Sequence, residues 1–326
     1  MDDDPGFFEA FDTVLTPLLE HEALAGLVGG LHSSGALAAL LGTVARDRVA
    51  PTLGLAEPVA ESVVAALLTH QVLEEDPHGG LRLTPLWRAL VADDAYSDLG
   101  DNLRTGLIMG RLLAGIGAGD YWSMPPDDRL VLARAVSPNP YAAGLVAAFR
   151  ADIAGDPDRA DLLTGCRLLE LGCGVAGRIL TTLQAAPGLT AVGVELSPDL
   201  AAEAARRAAE LGLSDRFSVV CGDAGDYTTE EPFDRAFWSQ FFFPVESRPG
   251  ALAALHAALR SRGIATAPLA GDEPGDALFR VMLASWGVPL RTADELMAEV
   301  EAAGFTEVEV VGVGEPGPSS VRFRRP

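Results

Sequence analysis

Three carboxylates and a glycine-rich turn are the groups in this sequence whose types and spacing could do chemistry. The stretch "LLELGCGVAG" (168–177) is an apolar run ending in Gly172, Gly174 and Gly177, with Glu170 two residues before the first glycine. At a strand-to-helix turn, glycines let the backbone approach a ligand closely and take conformations closed to other residues. Glu195 stands near the end of "TAVGVEL", 21 positions past Gly174, and Asp223 follows "RFSVVCG".

The glycines alone fit a dinucleotide fingerprint, G-x-G-x-x-G. Glu170 does not, because a carboxylate there repels a pyrophosphate and welcomes a cationic cofactor carrying an amino acid. Glu195, at the carboxyl end of a second strand, can accept from both hydroxyls of an adenosine ribose. Asp223, at the end of a third, can accept from an adenine amino group. Three such carboxylates with no phosphate-binding residue describe adenosine joined to a charged amino acid, which S-adenosylmethionine fits.

The elements that must position these groups follow from periodicity. From 166 on, the segments "CRLLEL", "TAVGVEL", "RFSVVCG", "DRAFWS", "GIATAPL", "TEVEVVGV" and "SSVRFRR" read as strands, and helical segments separate the first five. In "SPDLAAEAARRAAELG", Ser197 is the expected N-cap, Pro198 the first-turn residue and Gly212 the stop. Alternation of this kind implies a parallel sheet covered on both faces, and the closely spaced last two strands predict an antiparallel edge. Residues 8 to about 115 are helical. "AEPVAESVVAALLTHQVLEED" reads as a helix with an acidic stop, and "GGLRLTPLWRALV" as a turn, a short strand and a new helix after Thr84-Pro85. Helix, helix and β-wing is a winged-helix pattern. Its recognition helix would carry Glu61, Glu74 and Glu75 and no arginine, so a dimerisation module is expected and not a DNA reader. Between them, "GAGDYWSMPPDD" has loop composition, and "NPYAAGLVAAFRADI" is a helix placing Tyr141, Leu145 and Phe149 on one face.

Composition narrows the function. The 326 residues carry a formal net charge of −22 and no lysine, which excludes Schiff-base and lysine-base mechanisms. That charge opposes nucleic acid backbones and anionic membranes. The opening "MDDDPGFFEA" is not a signal segment, and no apolar run reaches the roughly 20 residues a span needs, so a cytoplasmic protein is expected. Cys166, Cys173 and Cys221 fit neither a zinc motif nor a disulfide framework and read as buried thiols.

The second half resembles class I S-adenosylmethionine-dependent methyltransferases. "LLELGCGVAG", "VGVELS", "CGDA" and "FDRAFWSQFFFP" are similar to that family's first four motifs, in order, over about 160 residues. The resemblance implies an α/β fold: a Rossmann-like class I methyltransferase domain with a seven-stranded, mostly parallel sheet (161–326). It would be preceded by a mainly α-helical, winged-helix-like dimerisation domain (1–115) and by linking helices (116–160) that contribute to the acceptor pocket. Glu170, Gly172, Cys173, Gly174 and Gly177 would hold the methionine part, Glu195 the ribose, and Asp223 with Ala224 the adenine edge. Leu196 and Ser239 complete the cofactor set. Ala176 stands where the family often has glycine, a departure that Gly177 is expected to offset. The front half, with "DALFRVMLASWG" before "RTADELMAEVEAAGF", is similar to small-molecule O-methyltransferases that work as homodimers. That similarity implies an acceptor pocket between the domains, lined by Tyr121, Trp122, Trp238, Phe241, Phe242, Phe279, Met282 and Trp286.

The pattern breaks at the general base. Those enzymes carry a histidine just after the fourth strand, where this sequence has "QFFFP", and its five histidines lie elsewhere. A phenol needs a positioned base, worth typically 10²–10⁴-fold, whereas an already nucleophilic atom does not. No histidine pair suggests a metal, so none is expected. C-methylation is therefore placed ahead of O- or N-methylation, in natural-product metabolism, with Gln240 as the orienting residue and Glu246, Tyr141 and Tyr121 as candidate bases. Two other readings stay open: other chemistry on the same cofactor, such as aminocarboxypropyl transfer or cyclisation, and a winged-helix regulator that senses S-adenosylmethionine.

Overall fold

The structure, a computed structural model, describes residues 7–115, 121–269, 277–288, 290–312 and 319–326. Residues 117–120 of the expected loop, Asp276 and Val313 lie outside the described residues. The chain divides into two compact units, Met1–Arg104 and Thr105–Pro326. The division falls inside the helix Leu99–Ala114, ahead of residue 115, and the helices of 116–160 belong to the unit that holds the large sheet.

In the first unit the helices Thr16–Ser33 and Glu57–Thr69 and the hairpin of β1 (Leu73–Glu75) and β2 (Leu81–Leu83) enclose a core that includes Val28, Leu37, Leu67 and Leu81. The second helix ends earlier than its apolar pattern suggests. Gln71 takes a left-handed φ of 55°, and the amides of Gln71 and Val72 fold back to the carbonyls of Leu68 and Leu67. That closure is a Schellman motif with glutamine in the place glycine usually fills. Glu74 and Glu75 therefore lie on the wing strand β1, and only Glu61 remains on the helix.

The second unit is built on seven strands: β3 (Arg167–Leu171), β4 (Thr190–Glu195), β5 (Phe217–Cys221), β6 (Phe233–Trp238), β7 (Leu259–Pro268), β8 (Thr306–Val311) and β9 (Ser320–Arg324). Their order in the sheet is β5-β4-β3-β6-β7-β9-β8. β9 pairs antiparallel with both β7 and β8, and the remaining pairs are parallel. The antiparallel strand thus sits one place in from the edge, and β8 forms the edge itself. Leu169 and Leu171 face one core with Trp238 and Leu255, while Leu168 faces another with Ile179 and Leu180. Two covered faces explain why these strands read as nearly continuous apolar runs.

Strand order reverses at β3, between β4 on one side and β6 on the other. At such a switch point the loops leave in opposite directions and open a crevice at the carboxyl ends of the strands. Each helix after a parallel strand starts at that edge and runs back. Pro198–Glu210 is one. Its Pro198 is in the first turn and Gly212 (φ 67°) closes it, but Ser197 Oγ donates to Asp199 and does not cap the helix.

Candidate active site

At the carboxyl end of β3 the chain turns through left-handed backbone at Gly172 (φ 73°), Gly174 (φ 54°) and Ala176 (φ 57°). A Cβ on Gly172 would meet Phe243 Cε2 at 2.8 Å and Ser239 Cβ at 3.3 Å, so this glycine lets β6's outgoing loop close on the turn. Gly174 is different: a Cβ there would meet no described atom within 4 Å, so its face is open. Gly177 does not offset Ala176 as expected. Ala176 carries the left-handed strain itself, and Gly177 is needed because Ser137 Oγ and Pro138 O press to 2.0 and 2.2 Å of its absent Cβ.

Glu170 is 3% exposed on β3, and its buried Oε2 has no hydrogen-bond partner among the described residues. Burial pushes its carboxyl up to about 7, with the Arg178 guanidinium opposing the shift. Arg178, in the first turn of the helix Gly177–Ala185, holds its guanidinium 3.6 Å above the ring of Phe237, which is Glu170's neighbour on β6. The other predicted residue of the turn, Cys173, offers a ligand only its backbone. Its thiol packs against Gly193 of β4 and is held protonated by burial and by Glu195 and Glu170.

Glu195 ends β4 and ties the site together. Oε2 accepts from the Gly174 amide at 2.8 Å and Oε1 from the Ser197 amide at 2.9 Å. Each oxygen keeps a lone pair for a ligand. Burial raises its carboxyl, against those two amides. Leu196 beside it is 47% exposed, an apolar side chain left open at the crevice. Asp223, at the end of β5, is exposed; its Oδ1 accepts from Gly225 N, and Ala224 is buried behind it. Ser239 donates its amide to Leu171 O, joining β6's exit to the turn.

Arg129 and Asp199 are not singled out by sequence pattern, yet they fix the segment around Tyr121. Arg129 donates to the carbonyls of Trp122 and Met124 and to Asp199 Oδ1. Burial opposes ionisation of Asp199, but Ser197 and Arg129 outweigh it and hold its carboxyl low. This places Tyr121 close enough to Glu195 to feel its charge: burial raises the phenol and Glu195 raises it further.

Six of the eight predicted acceptor residues gather in one apolar cluster: Tyr121, Phe241, Phe242, Phe279, Met282 and Trp286, with Val175 of the turn and Leu200. Tyr121 meets Trp286 edge-on at 5.2 Å and Phe242 at 5.9 Å. Among the described residues the buried Trp286 Nε1 has no hydrogen-bond partner. Trp122 stacks edge-on against Tyr121 but is partly exposed. Trp238 is not in this cluster. It is fully buried on the opposite face of the sheet, beneath the Arg248 guanidinium at 4.6 Å and against Phe243.

The expected catalytic residues do not converge. Gln240 is buried, its Nε2 donating to Pro268 O at 2.9 Å and its Oε1 accepting from Arg248, which also binds Glu299. Its amide is a structural clamp for the β6 loop. Tyr141 donates to Glu210 Oε2 at 2.6 Å, and burial with that bond pushes it up to about 12. Glu210 ends a 13-residue helix that starts at the crevice, so this pair lies ~20 Å away at the other edge. Glu246 is exposed on the loop before the helix Arg248–Ala258. His256, near the far end of that helix, stacks on Phe305. Among the described residues no group of three or more His, Cys, Asp or Glu could hold a metal ion, and no single helix is long and apolar enough to cross a membrane.

A sheet of this order, with an acid, a glycine turn and a second acid at the carboxyl ends of β3 and β4, has the Rossmann-like fold of the solved methyltransferase structures that it resembles. Residues 168–263 match a family described as "Methyltransferase domain". A stretch of 72 residues is 40% identical to the uncharacterized protein YjhP of Escherichia coli K12; it makes up 22% of this chain and 29% of that protein. The match thus spans under a third of that relative's length. Whole-chain likeness is to solved structures. Human N-acetylserotonin methyltransferase, in complex with S-adenosylmethionine, superposes with a TM-score of 0.70 at 14% identity over 100% of this chain and 99% of that one. An O-methyltransferase family protein from Burkholderia thailandensis gives 0.69 at 13% identity over 95% and 97%. The mitomycin 7-O-methyltransferase MmcR gives 0.66 at 19% over 97% and 98%. At these identities the likeness is one of fold.

Proposed function

We propose that this chain transfers a methyl group from S-adenosylmethionine to a small, largely apolar acceptor of the natural-product kind. The observation that carries the reading is Glu170, a buried carboxylate with an unpartnered oxygen, set beside a glycine turn whose Gly174 is left-handed and open. The cofactor brings its own electrophilic methyl group. Glu170 attracts its ammonium, Glu195 accepts from the ribose hydroxyls, Leu196 and Ala224 cover the adenine, and Asp223 accepts from the adenine amino group. Ser239 and Gly172 close the methionine side.

On the acceptor side, Tyr121, Phe242, Met282 and Trp286 exclude water and hold the acceptor in line, so the rate gain comes from proximity and orientation. His256 is the one histidine of residues 105–326 and is stacked on Phe305 at the far edge. The acceptor atom therefore arrives already nucleophilic, an electron-rich carbon ahead of an ionised oxygen or an amine. The natural-product O-methyltransferase among the similar structures supports the acceptor class. The proposal includes a homodimer. Phe11, Val14, Leu15, Leu18 and Leu19 leave one apolar helical face exposed at the start of the first unit.

Calorimetric titration of S-adenosylmethionine into the wild type and Glu195→Ala tests the reading, followed by an acceptor screen for adenosylhomocysteine release. Micromolar binding that the substitution weakens supports it. No binding by the wild type removes it.

A further inference from the structure

Trp286 carries a donor that the fold leaves unused. The helix Ala277–Ser285 closes around it: Val288 N donates to Leu283 O at 2.9 Å and Gly287 N to Ala284 O at 3.1 Å, with Gly287 at a left-handed φ of 74°. This is a Schellman turn with Trp286 as the C-cap. Gly287 O also accepts from Val245 N at 3.2 Å, which ties the turn to the loop after β6. The indole is thereby held at one place, 6% exposed, edge-on to Tyr121 and in one cluster with Phe242 and Met282. An indole N–H can only donate, and a buried one normally finds a partner. Among the described residues nothing accepts from Trp286 Nε1. Thr105 Oγ1, buried on the helix Leu99–Ala114 one turn before Ile108 of the same cluster, is likewise unpartnered among them. A mostly apolar envelope with a few placed polar atoms is how a small-molecule site is built. Trp238 supplies the contrast: its Nε1 is unpartnered too, but its indole lies among core residues on the sheet's other face, beneath the Arg248 guanidinium.

We infer that the acceptor carries a neutral carbonyl oxygen on an otherwise apolar, flat body and that Trp286 Nε1–H donates to it, so that this residue selects ketones, quinones or amides over the matching hydrocarbons. This rests on the acceptor site proposed above and adds a recognition group and a substrate class to it. The oxygen is a neutral one because of what surrounds it. Burial, and then the charge of Glu195, keep the phenol of the neighbouring Tyr121 protonated, and a carboxylate or phenolate beside it meets the same two costs.

The probes are α-tetralone and tetralin, which share a fused-ring body and differ in one carbonyl. Each is titrated into the full chain in excess adenosylhomocysteine, and the indole N–H signals of the four tryptophans are followed by NMR. α-Tetralone should bind roughly tenfold more tightly than tetralin, as expected for one hydrogen bond to an otherwise unpaired buried donor. It should move the Trp286 indole proton downfield and leave the Trp238 signal in place. Trp286→Phe, which keeps an apolar ring, removes the N–H and identifies the signal, should lose that factor for α-tetralone and change tetralin binding less than about twofold. Equal wild-type affinity for the two probes, or α-tetralone binding that leaves the Trp286 signal unmoved, overturns the inference without needing any variant. Parallel weakening of both probes in Trp286→Phe also overturns it, by reducing the indole to a packing role. Binding of neither probe overturns the inference together with the aromatic cluster as an acceptor site. The cofactor reading stands or falls separately, on the S-adenosylmethionine titration above.

Discussion

The Gly174 amide donates to Glu195 Oε2 at 2.8 Å, so the turn after β3 is held by the acid that ends β4. The same carboxylate accepts from Ser197 N with its other oxygen. Glu195→Ala removes the acceptor of two backbone donors as well as the proposed ribose contact. The expected result is a loss of about 2–3 kcal/mol in stability and a cofactor Kd raised about 100-fold. Melting curves and calorimetry check both. A Kd within threefold of wild type would remove Glu195 from the cofactor site.

The pH dependence of cofactor binding follows from Glu170. In the free protein its carboxyl is raised to about 7 by burial. Because the folded value lies above the unfolded one, the folded state holds more protons in between. Its contribution to stability is fully present below about pH 4 and is lost as pH rises through 7. A cationic ligand needs the ionised form, so binding below pH 7 releases a proton, and affinity falls by up to about tenfold per pH unit. Titrations from pH 5.5 to 8.5 should show this slope, and Glu170→Gln should flatten it. A flat wild-type profile would contradict the assignment.

Two glycines in one turn should respond in opposite ways. Gly177→Ala places a Cβ 2.2 Å from the carbonyl oxygen of Pro138, which must move. About 3 kcal/mol of stability should be lost. Gly174→Ala meets no described atom, so only its left-handed φ of 54° opposes it, at about 1–2 kcal/mol. That variant should fold yet bind cofactor at least ~10-fold more weakly, because its methyl group fills the open face. Thermal melts with and without S-adenosylmethionine separate the two effects.

Tyr141→Phe should leave turnover within about twofold of wild type. Its hydroxyl is engaged by Glu210 at the far edge of the sheet. A base at the reacting atom would instead cost 10²–10⁴-fold on removal, so a rate loss of that size would return Tyr141 to the site. Trp286→Ala, within the aromatic cluster, should raise the acceptor KM and leave cofactor affinity unchanged.

Leu18→Glu should dissociate the proposed homodimer. Leu18 is 64% exposed on the first long helix, and a carboxylate buried across an interface is costly. Sedimentation velocity reads the outcome directly, and a wild type that runs as a monomer removes the dimer from the proposal.

The placement of the proposed cofactor residues at strand ends was legible because it depends on local order along the chain. Gly172, Gly174, Glu195 and Asp223 each mark the end of a strand, and strand ends show in periodicity. The aromatic cluster proposed for the acceptor was legible as composition, and Tyr121, Phe242, Met282 and Trp286 do meet in it. Trp238 and Gln240 were not, because register decides which way a residue near a strand's end faces. Trp238 lies opposite Leu171 and turns into the core with it. Arg129, Asp199 and Arg178 look in sequence like ordinary charged helix positions. Their roles come from partners up to 70 positions away, as with Arg129 and Asp199, and no spacing rule reaches that far.

β9 has one more consequence, for the order in which the molecule can be made. β8 is synthesised before β9 yet has no other strand to pair with, and β7 has β9 as its outer neighbour. Until Ser320–Arg324 has left the ribosome, β8 has no place in the sheet and the open flank of β7 is exposed. The crevice proposed for the cofactor, at the carboxyl ends of β3, β4, β5 and β6, lies entirely among earlier strands. A nascent chain stalled before residue 320 would hold a site-forming half beside a sticky edge, a state in which chaperone capture competes with completion.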